Sequence, residues 1–372
     1  MRIGIDARLW NETGVGRYIR SLFYHLAEYD KENEYVWFFG KKEFETLDLP
    51  SKKWKKVETN IHWHTIAEQI LLPWVFYRKN LDLLHFPYFS FPILYPRKFV
   101  VTIHDLIFDH YKTGKASTLP RWFYIIKKFG YHMVLRTCVK RATQILTLSN
   151  DAKNEIVDHY HANADKITVT YESGKLEDPR IKFNSKKFDQ MRKLQPYILY
   201  VGNAHPHKNV EMLITAMQKL RQKRSLRLVL VGSDQFFYPK LMEFIKQKKA
   251  DGYVSLIGSV PNDHIAGWYY FAQALVTASK MEGFGIPPLE AMSIGCPIIV
   301  SDIPVFHEVY GDAAVFFNHN NATDIAQTID KTLSNKVLIK DMIEKGYKKA
   351  NSYSWQKMAQ ETLEVYESCF GL

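Results

Sequence analysis

Cysteine is scarce in this chain. Cys138, Cys296 and Cys369 are the three among 372 residues, dispersed and at no metal-ligand spacing. That argues against a disulfide framework and fits a reducing compartment. No apolar run approaches the ~20 residues needed to cross a bilayer. The chain enters a strand at once with Arg2-Ile3-Gly4-Ile5-Asp6, which leaves no room for a signal peptide, so a cytoplasmic location is expected. No Asp-x-Asp pair occurs, so the usual acidic holder for a catalytic Mg²⁺ is missing, and the 14 histidines show no ligand spacing. Neither a metal nor another cofactor is expected. Nothing resembles a nucleic-acid recognition motif, and no nucleic-acid partner is expected despite the basic balance.

What the chain does have is length, apolar content and an uneven charge. At 372 residues it exceeds the usual span of one core, and 46% hydrophobic with 24% charged residues is an ordinary globular composition. Residues 51–150 hold 16 Lys/Arg against 5 Asp/Glu, an excess equal to the whole net charge of +11. Within that block, Tyr111 to Arg141 interleaves Trp122, Phe123, Tyr124, Phe129 and Tyr131 with Lys127, Lys128, Arg136, Lys140 and Arg141. Such a pattern suits an anionic membrane surface or an anionic polymer, and equally a solvated basic helix over the core.

Short apolar strands alternate with helical stretches through both halves. In the first half the strands are Ile3–Ile5, Tyr35–Phe39, Leu83–Phe86, Phe99–His104, Gln144–Leu148 and Ile167–Thr170. In the second they are Tyr197–Gly202, Leu226–Gly232, Val254–Ile257, Ala274–Val276 and Ile298–Val300. The alternation predicts α/β architecture with two doubly wound, Rossmann-like parallel sheets. Expected boundaries are 1–185, 195–350 and a C-terminal helical segment at 351–372. The polar stretch Glu177–Lys193 reads as the linker. Such sheets bind ligands at the strand C-termini.

The densest chemistry lies in Met281-Glu282-Gly283-Phe284-Gly285-Ile286-Pro287-Pro288-Leu289-Glu290-Ala291-Met292. Proline suits the first helical positions, and Gly295 with Pro297 marks the stop, so a glycine loop opens onto a helix N-terminus. Backbone N–H groups and a positive dipole end there favour a diphosphate. Glu282 and Glu290, eight residues apart, cannot help bind phosphate, but they can accept hydrogen bonds from sugar and ribose hydroxyls. A nucleotide-sugar pocket follows from these parts.

These residues resemble the family 4 retaining glycosyltransferases with the two-Rossmann GT-B fold, including mannosyltransferases of surface-polysaccharide and O-antigen assembly. The resemblance spans nearly the whole chain. It rests on Gly4-Ile5-Asp6-Ala7-Arg8 with Thr13-Gly14-Val15-Gly16-Arg17-Tyr18, on Tyr200-Val201-Gly202-Asn203 with Pro206-His207-Lys208-Asn209, on Glu282 to Glu290, and on Tyr353-Ser354-Trp355-Gln356-Lys357. It implies that the C-terminal helix returns toward the N-terminal domain. It also implies Glu290 on the ribose, Glu282 on the transferred sugar, and the Phe284-Gly285-Ile286 backbone on the diphosphate, with Gly283 and Gly285 leaving room for that approach. Lys208 would meet the leaving diphosphate and His104 would sit beside the donor sugar. The family's arginine after the strand glycine is replaced by Asn203, which puts one phosphate contact in doubt, and Arg8 and Arg17 are candidates to supply some of that charge. Gly14 and Gly16 would admit the diphosphate or acceptor, or simply start a helix. Val260 would cover the nucleobase, or be an ordinary buried valine.

The activity implied is metal-independent transfer of a hexose from a nucleoside-diphosphate sugar, first of all GDP-mannose, to a glycan or polyprenyl-diphosphate-linked acceptor. UDP- and dTDP-linked donors stay open, and so does a sugar-nucleotide epimerase, which shares the architecture.

Overall fold

The computed structural model describes residues 1–111, 121–176 and 188–371, with the side chains of 121–127, 262 and 263 left out. Part of the basic aromatic segment, including Trp122, Phe123, Tyr124 and Lys127, and residues 177–187 of the expected linker therefore lie outside the described residues. The chain divides into two compact units. The first comprises Met1–Leu106, Leu119–Glu172 and Trp355–Leu372, and the second Ile107–Thr118 and Ser173–Ser354.

The first unit is built on a seven-stranded sheet of order β3-β2-β1-β4-β5-β6-β7. Its strands are β1 (Arg2–Asp6), β2 (Glu34–Phe39), β3 (Trp54–Glu58), β4 (Leu83–Phe86), β5 (Phe99–Ile103), β6 (Gln144–Thr147) and β7 (Ile167–Val169). All neighbours pair parallel. A parallel sheet is covered on both faces, which is why its inner strands read as continuous apolar runs. The helix Gly14–Tyr29 turns Tyr18, Ile19, Leu22, Phe23 and Leu26 inward. The C-terminal helix Trp355–Ser368 belongs to this unit, as expected. Its Tyr366 hydroxyl lies 2.6 Å from His85 Nδ1 of β4. His85 Nε2 in turn meets Thr102 Oγ1 of β5 at 2.8 Å, so a fully buried polar chain fixes the helix to the sheet.

The second unit carries a six-stranded parallel sheet of order β10-β9-β8-β11-β12-β13. Its strands are β8 (Tyr197–Val201), β9 (Arg227–Val231), β10 (Val254–Gly258), β11 (Leu275–Thr277), β12 (Ile298–Ser301) and β13 (Ala314–Phe317). Its core gathers Ile198, Leu228, Leu230, Val276 and Ile299 from the strands with Leu213, Ile214 and Met217 of helix Val210–Leu220. One sequence expectation needs correction here. The end of the supposed linker is a helix, Asp189–Leu194. Phe188 and Met191 are buried against Gly267 of helix Asn262–Phe271, and that apolar pair outweighs the polar composition.

Each sheet reverses its strand order once, between β1 and β4 in the first unit and between β8 and β11 in the second. These two places hold most of the polar residues of interest.

Candidate active site

In the second unit the loops leaving β8 and β11 flank the reversal. The β8 loop carries Asn203 and then the short 3₁₀ turn Pro206–Lys208. The β11 loop carries Ser279 and Glu282. Lys208 Nζ stands 2.7 Å from each carboxylate oxygen of Glu282, and Ser279 Oγ donates to Oε1 at 2.6 Å. Burial alone would raise the Glu282 pKa, but Lys208 and the further hydrogen bonds outweigh it and hold the carboxyl below its ordinary range. Neighbouring His207 is buried with no partner at Nδ1. Burial first, then Lys208, pushes its pKa down to about 3, so the ring is neutral.

The loop after Glu282 turns into helix Ile286–Ser293 at Gly285, whose φ of 91° lies in the left-handed region. A Cβ there would come within 2.2 Å of the Tyr310 hydroxyl, which donates to the Gly285 carbonyl at 2.6 Å. Glycine is therefore required twice over, by backbone conformation and by space. No side chain caps this helix. Pro287 and Pro288 have no N–H, so of the usual orphan donors only those of Gly285 and Ile286 exist to face an anion. Gly283 and Phe284 are buried beside them, with the Phe284 ring edge-on to Tyr353.

Glu290 follows one turn into the helix and is buried. Tyr269 Oη donates to its Oε2 at 2.6 Å, fixing the carboxylate from helix Asn262–Phe271. Val260 is half-buried in the loop after β10. Asp234, which sequence reasoning did not single out, accepts backbone N–H bonds from Ala204, Phe236, Phe237 and Tyr238. Those bonds outweigh its burial and depress its pKa. It ties the β8 loop that carries Asn203 to the loop after β9. An aspartate just past a strand and ahead of a helix was the available signal.

His104, Gly14 and Gly16 belong to the first unit. His104 lies just past β5 and is buried, with Nε2 2.8 Å from the Pro87 carbonyl. A carbonyl only accepts, so Nε2 carries the proton and Nδ1 is the ring's acceptor. Nδ1 lies 4.0 Å from Glu172 Oε1, too far for a hydrogen bond. Burial takes His104 down to about 4 and Glu172 up to about 8, the latter only partly offset by Arg17. At neutral pH an uncharged imidazole thus faces a protonated acid. Tyr18 of the helix that Gly14 opens packs edge-on against His104, with ring centres 5.2 Å apart. Gly16 has a local reason to be glycine: a Cβ would meet the Trp10 and Leu9 carbonyl oxygens at 2.5 and 2.9 Å. A Cβ on Gly14 would meet nothing.

Arg8 is a correction. The sequence made it a candidate phosphate contact, but its guanidinium is held by Asp6 at 2.7 Å, Glu68 at 2.8 Å and the Ile61 carbonyl at 2.9 Å. It is a buried structural cation. Arg17 stacks over Trp355 at 5.7 Å. Among the described residues no group of three or more His, Cys, Asp or Glu is arranged to hold a metal ion.

Known proteins are similar to this chain along both of its units. The model of Glycosyltransferase Family 4 matches residues 13–172, and that of Glycosyl transferases group 1 matches residues 182–349. The O-antigen chain mannosyltransferase RfbU of Salmonella typhimurium is 30% identical over 256 residues, covering 69% of this chain and 66% of that protein. The O-antigen chain mannosyltransferase B of Escherichia coli is 27% identical over 375 residues, covering 95% and 96%. Among solved structures, a sucrose-phosphate synthase from Thermosynechococcus elongatus superposes with a TM-score of 0.77 at 18% identity, over 100% of this chain and 99% of that one. That likeness speaks to fold alone.

The chain is a glycosyltransferase of the GT-B fold, related to the family 4 and group 1 enzymes and, among them, to bacterial mannosyltransferases. It uses a nucleotide-sugar donor and a glycan or lipid acceptor.

Proposed function

We propose that the enzyme transfers mannose from GDP-mannose, with retention of anomeric configuration and without a metal ion, to a growing glycan on a polyprenyl diphosphate. The relatives' names, O-antigen chain mannosyltransferases, support mannose as the sugar and a glycan chain as the acceptor. The observation that carries the chemistry is the Lys208–Glu282 pair at the strand-order reversal of the second sheet. In this reading the pair opens when donor arrives. The diphosphate takes Lys208 and the N–H groups of Gly285 and Ile286. Glu282, kept ionised, turns its oxygens to the hydroxyls of the transferred sugar.

Glu290, oriented by Tyr269, receives the ribose diol. Asn203 lies in the same loop as Lys208, and Val260 flanks the base. Charge on the departing phosphate is then met by one ammonium and a helix N-terminus. His104 offers Nδ1 to a sugar hydroxyl. We favour departure and attack on the same face, the leaving phosphate oxygen taking the acceptor's proton. The protein would work from the cytoplasmic side, peripheral to the membrane.

A thermal-shift panel of GDP-, UDP-, dTDP- and ADP-sugars tests the donor. Stabilisation by GDP-mannose above the others is the expected result. Stabilisation by UDP- or dTDP-sugars alone moves the enzyme to another donor in the same reaction class, and an inverted anomer in the product's NMR spectrum overturns retention.

A further inference from the structure

Glu172 lies three residues past β7 and is 3% exposed. Its Oε1 is buried and has no hydrogen-bond partner among the described residues. Buried polar atoms are nearly always paired, so an orphan on a carboxyl group needs a physical reason. The atom faces His104 Nδ1 at 4.0 Å. A direct hydrogen bond would need about 2.7–3.0 Å, so acid and imidazole are held roughly an ångström too far apart to satisfy each other.

The separation is built in. His104 Nε2 is tied to the Pro87 carbonyl at 2.8 Å, and the ring lies between Tyr18, edge-on at 5.2 Å, and Tyr88 at 6.4 Å. Tyr18 is fixed in turn, its hydroxyl accepting from Thr102 Oγ1 at 3.2 Å. Turning the imidazole toward the acid would break the bond to Pro87 and displace both tyrosine rings. Two atoms 4.0 Å apart are nonetheless both within reach of a single oxygen about 2.8 Å from each.

The chemistry of the pair selects that oxygen. With Nε2 donating, Nδ1 can only accept. The carboxyl group is protonated at neutral pH, since burial raises it to about 8 and Arg17 offsets only part of this, so it can donate. One acceptor beside one donor suits a group that gives and takes a hydrogen bond at once, which is a hydroxyl. A phosphate or carboxylate oxygen would meet the imidazole lone pair with no hydrogen to offer. A deoxygenated carbon would leave both protein groups unpaired.

We propose that Glu172 is a recognition residue for the transferred sugar, and that it and His104 hold the same sugar hydroxyl, whose hydrogen goes to His104 Nδ1 and whose oxygen accepts from the Glu172 carboxyl group. The proposal rests on the reading that His104 meets the donor sugar, and it supplies the second partner and the class of group recognised.

The sugar nucleotide that most stabilises the enzyme in the thermal-shift panel is compared with its singly deoxygenated analogues, by kcat/KM and by Kd. In the wild type, removal of one particular hydroxyl should lower kcat/KM roughly 10²-fold, as expected when buried polar groups lose their partner. In Glu172→Leu the same deletion should cost about tenfold less, because one of the two partners is already gone. Glu172→Gln, whose amide still donates, should keep the discrimination. It should lose the fall in kcat/KM that the wild type shows above pH 8 or so as the carboxyl group ionises. Of the groups facing Glu172, Arg17 stays cationic through that range, Tyr18 titrates at about 12 and His104 at about 4.

A deoxygenation penalty equal in wild type and Glu172→Leu overturns the proposal and leaves the His104 contact standing. An alkaline fall unchanged in Glu172→Gln overturns it as well. No penalty at any ring position in the wild type overturns the proposal and the His104 contact together.

Discussion

The first unit's β1 loop and the second unit's β8 loop occupy equivalent places, each leaving the strand beside which its sheet reverses order, and each carries a cation. Their electrostatic fates differ. Arg8 is clamped by two carboxylates and a carbonyl, and its side chain is 4% exposed. Burial alone would lower its pKa, but Asp6 and Glu68 more than reverse that. Lys208 has one carboxylate, keeps 20% of its side chain exposed, and faces Glu282 from a neighbouring strand end. A guanidinium fork saturated on several sides is a brace. An ammonium with a single exchangeable partner can be handed to a ligand. The same topological position thus serves stability in one unit and, in our reading, chemistry in the other.

The largest expected effect comes from breaking the brace. Arg8→Ala leaves two buried carboxylates facing each other without a counter-charge, and should cost about 3–5 kcal/mol of stability. Urea unfolding measures it, and a loss under 1 kcal/mol would show the triad to be dispensable. Lys208→Ala should do the reverse. The pair is partly exposed, so stability should change by no more than ~1 kcal/mol. The rate of sugar transfer should fall roughly 10²–10³-fold, the usual result of removing one electrostatic contact to a leaving group. If Lys208→Ala unfolds the protein and transfers normally when folded, the contrast between the two cations is wrong.

Much of the fold was legible because parallel strands covered on both faces announce themselves as apolar runs. The two strands missed, β3 and β13, are both at sheet edges. In β3, Trp54-Lys55-Lys56-Val57-Glu58 carries the charge that edges tolerate, and it disguises the strand. In β13, four apolar residues are too few for periodicity to tell strand from helix. At the site, the individual residues stood out by local chemistry, but their partners did not. Glu282 meets Lys208 across 74 positions, and Arg8 meets Glu68 across 60. Neither separation leaves a trace in spacing. That is why Arg8 looked available for phosphate, and why the neutralisation of Lys208 was invisible. Tyr269 beneath Glu290 was hidden for the same reason.

A second pair of carboxylates sharpens the comparison. Glu282 is half-buried with a cation in contact and titrates low. Glu172 is buried without a contacting cation and titrates at about 8, because burial disfavours its charge and Arg17 compensates only in part. Folding therefore retains a proton on Glu172 that the unfolded chain releases near the ordinary carboxylate range. Stability from this group is fully present below that range and declines as pH rises toward 8, where the folded state ionises too and the slope ends. His104, lowered to about 4, contributes the opposite slope between there and its ordinary range, but it does so equally in a Glu172 variant and cancels in the difference. Glu172→Gln keeps the shape and removes the titration. Relative to wild type it should gain stability with pH by at most ~1.4 kcal/mol per unit. Relaxation around the site brings the difference to the order of 2 kcal/mol by pH 8, read from urea midpoints at pH 5 and pH 8. Parallel pH profiles for the two proteins would mean that Glu172 is already ionised in the folded state. The two carboxylates would then differ in partner but not in charge.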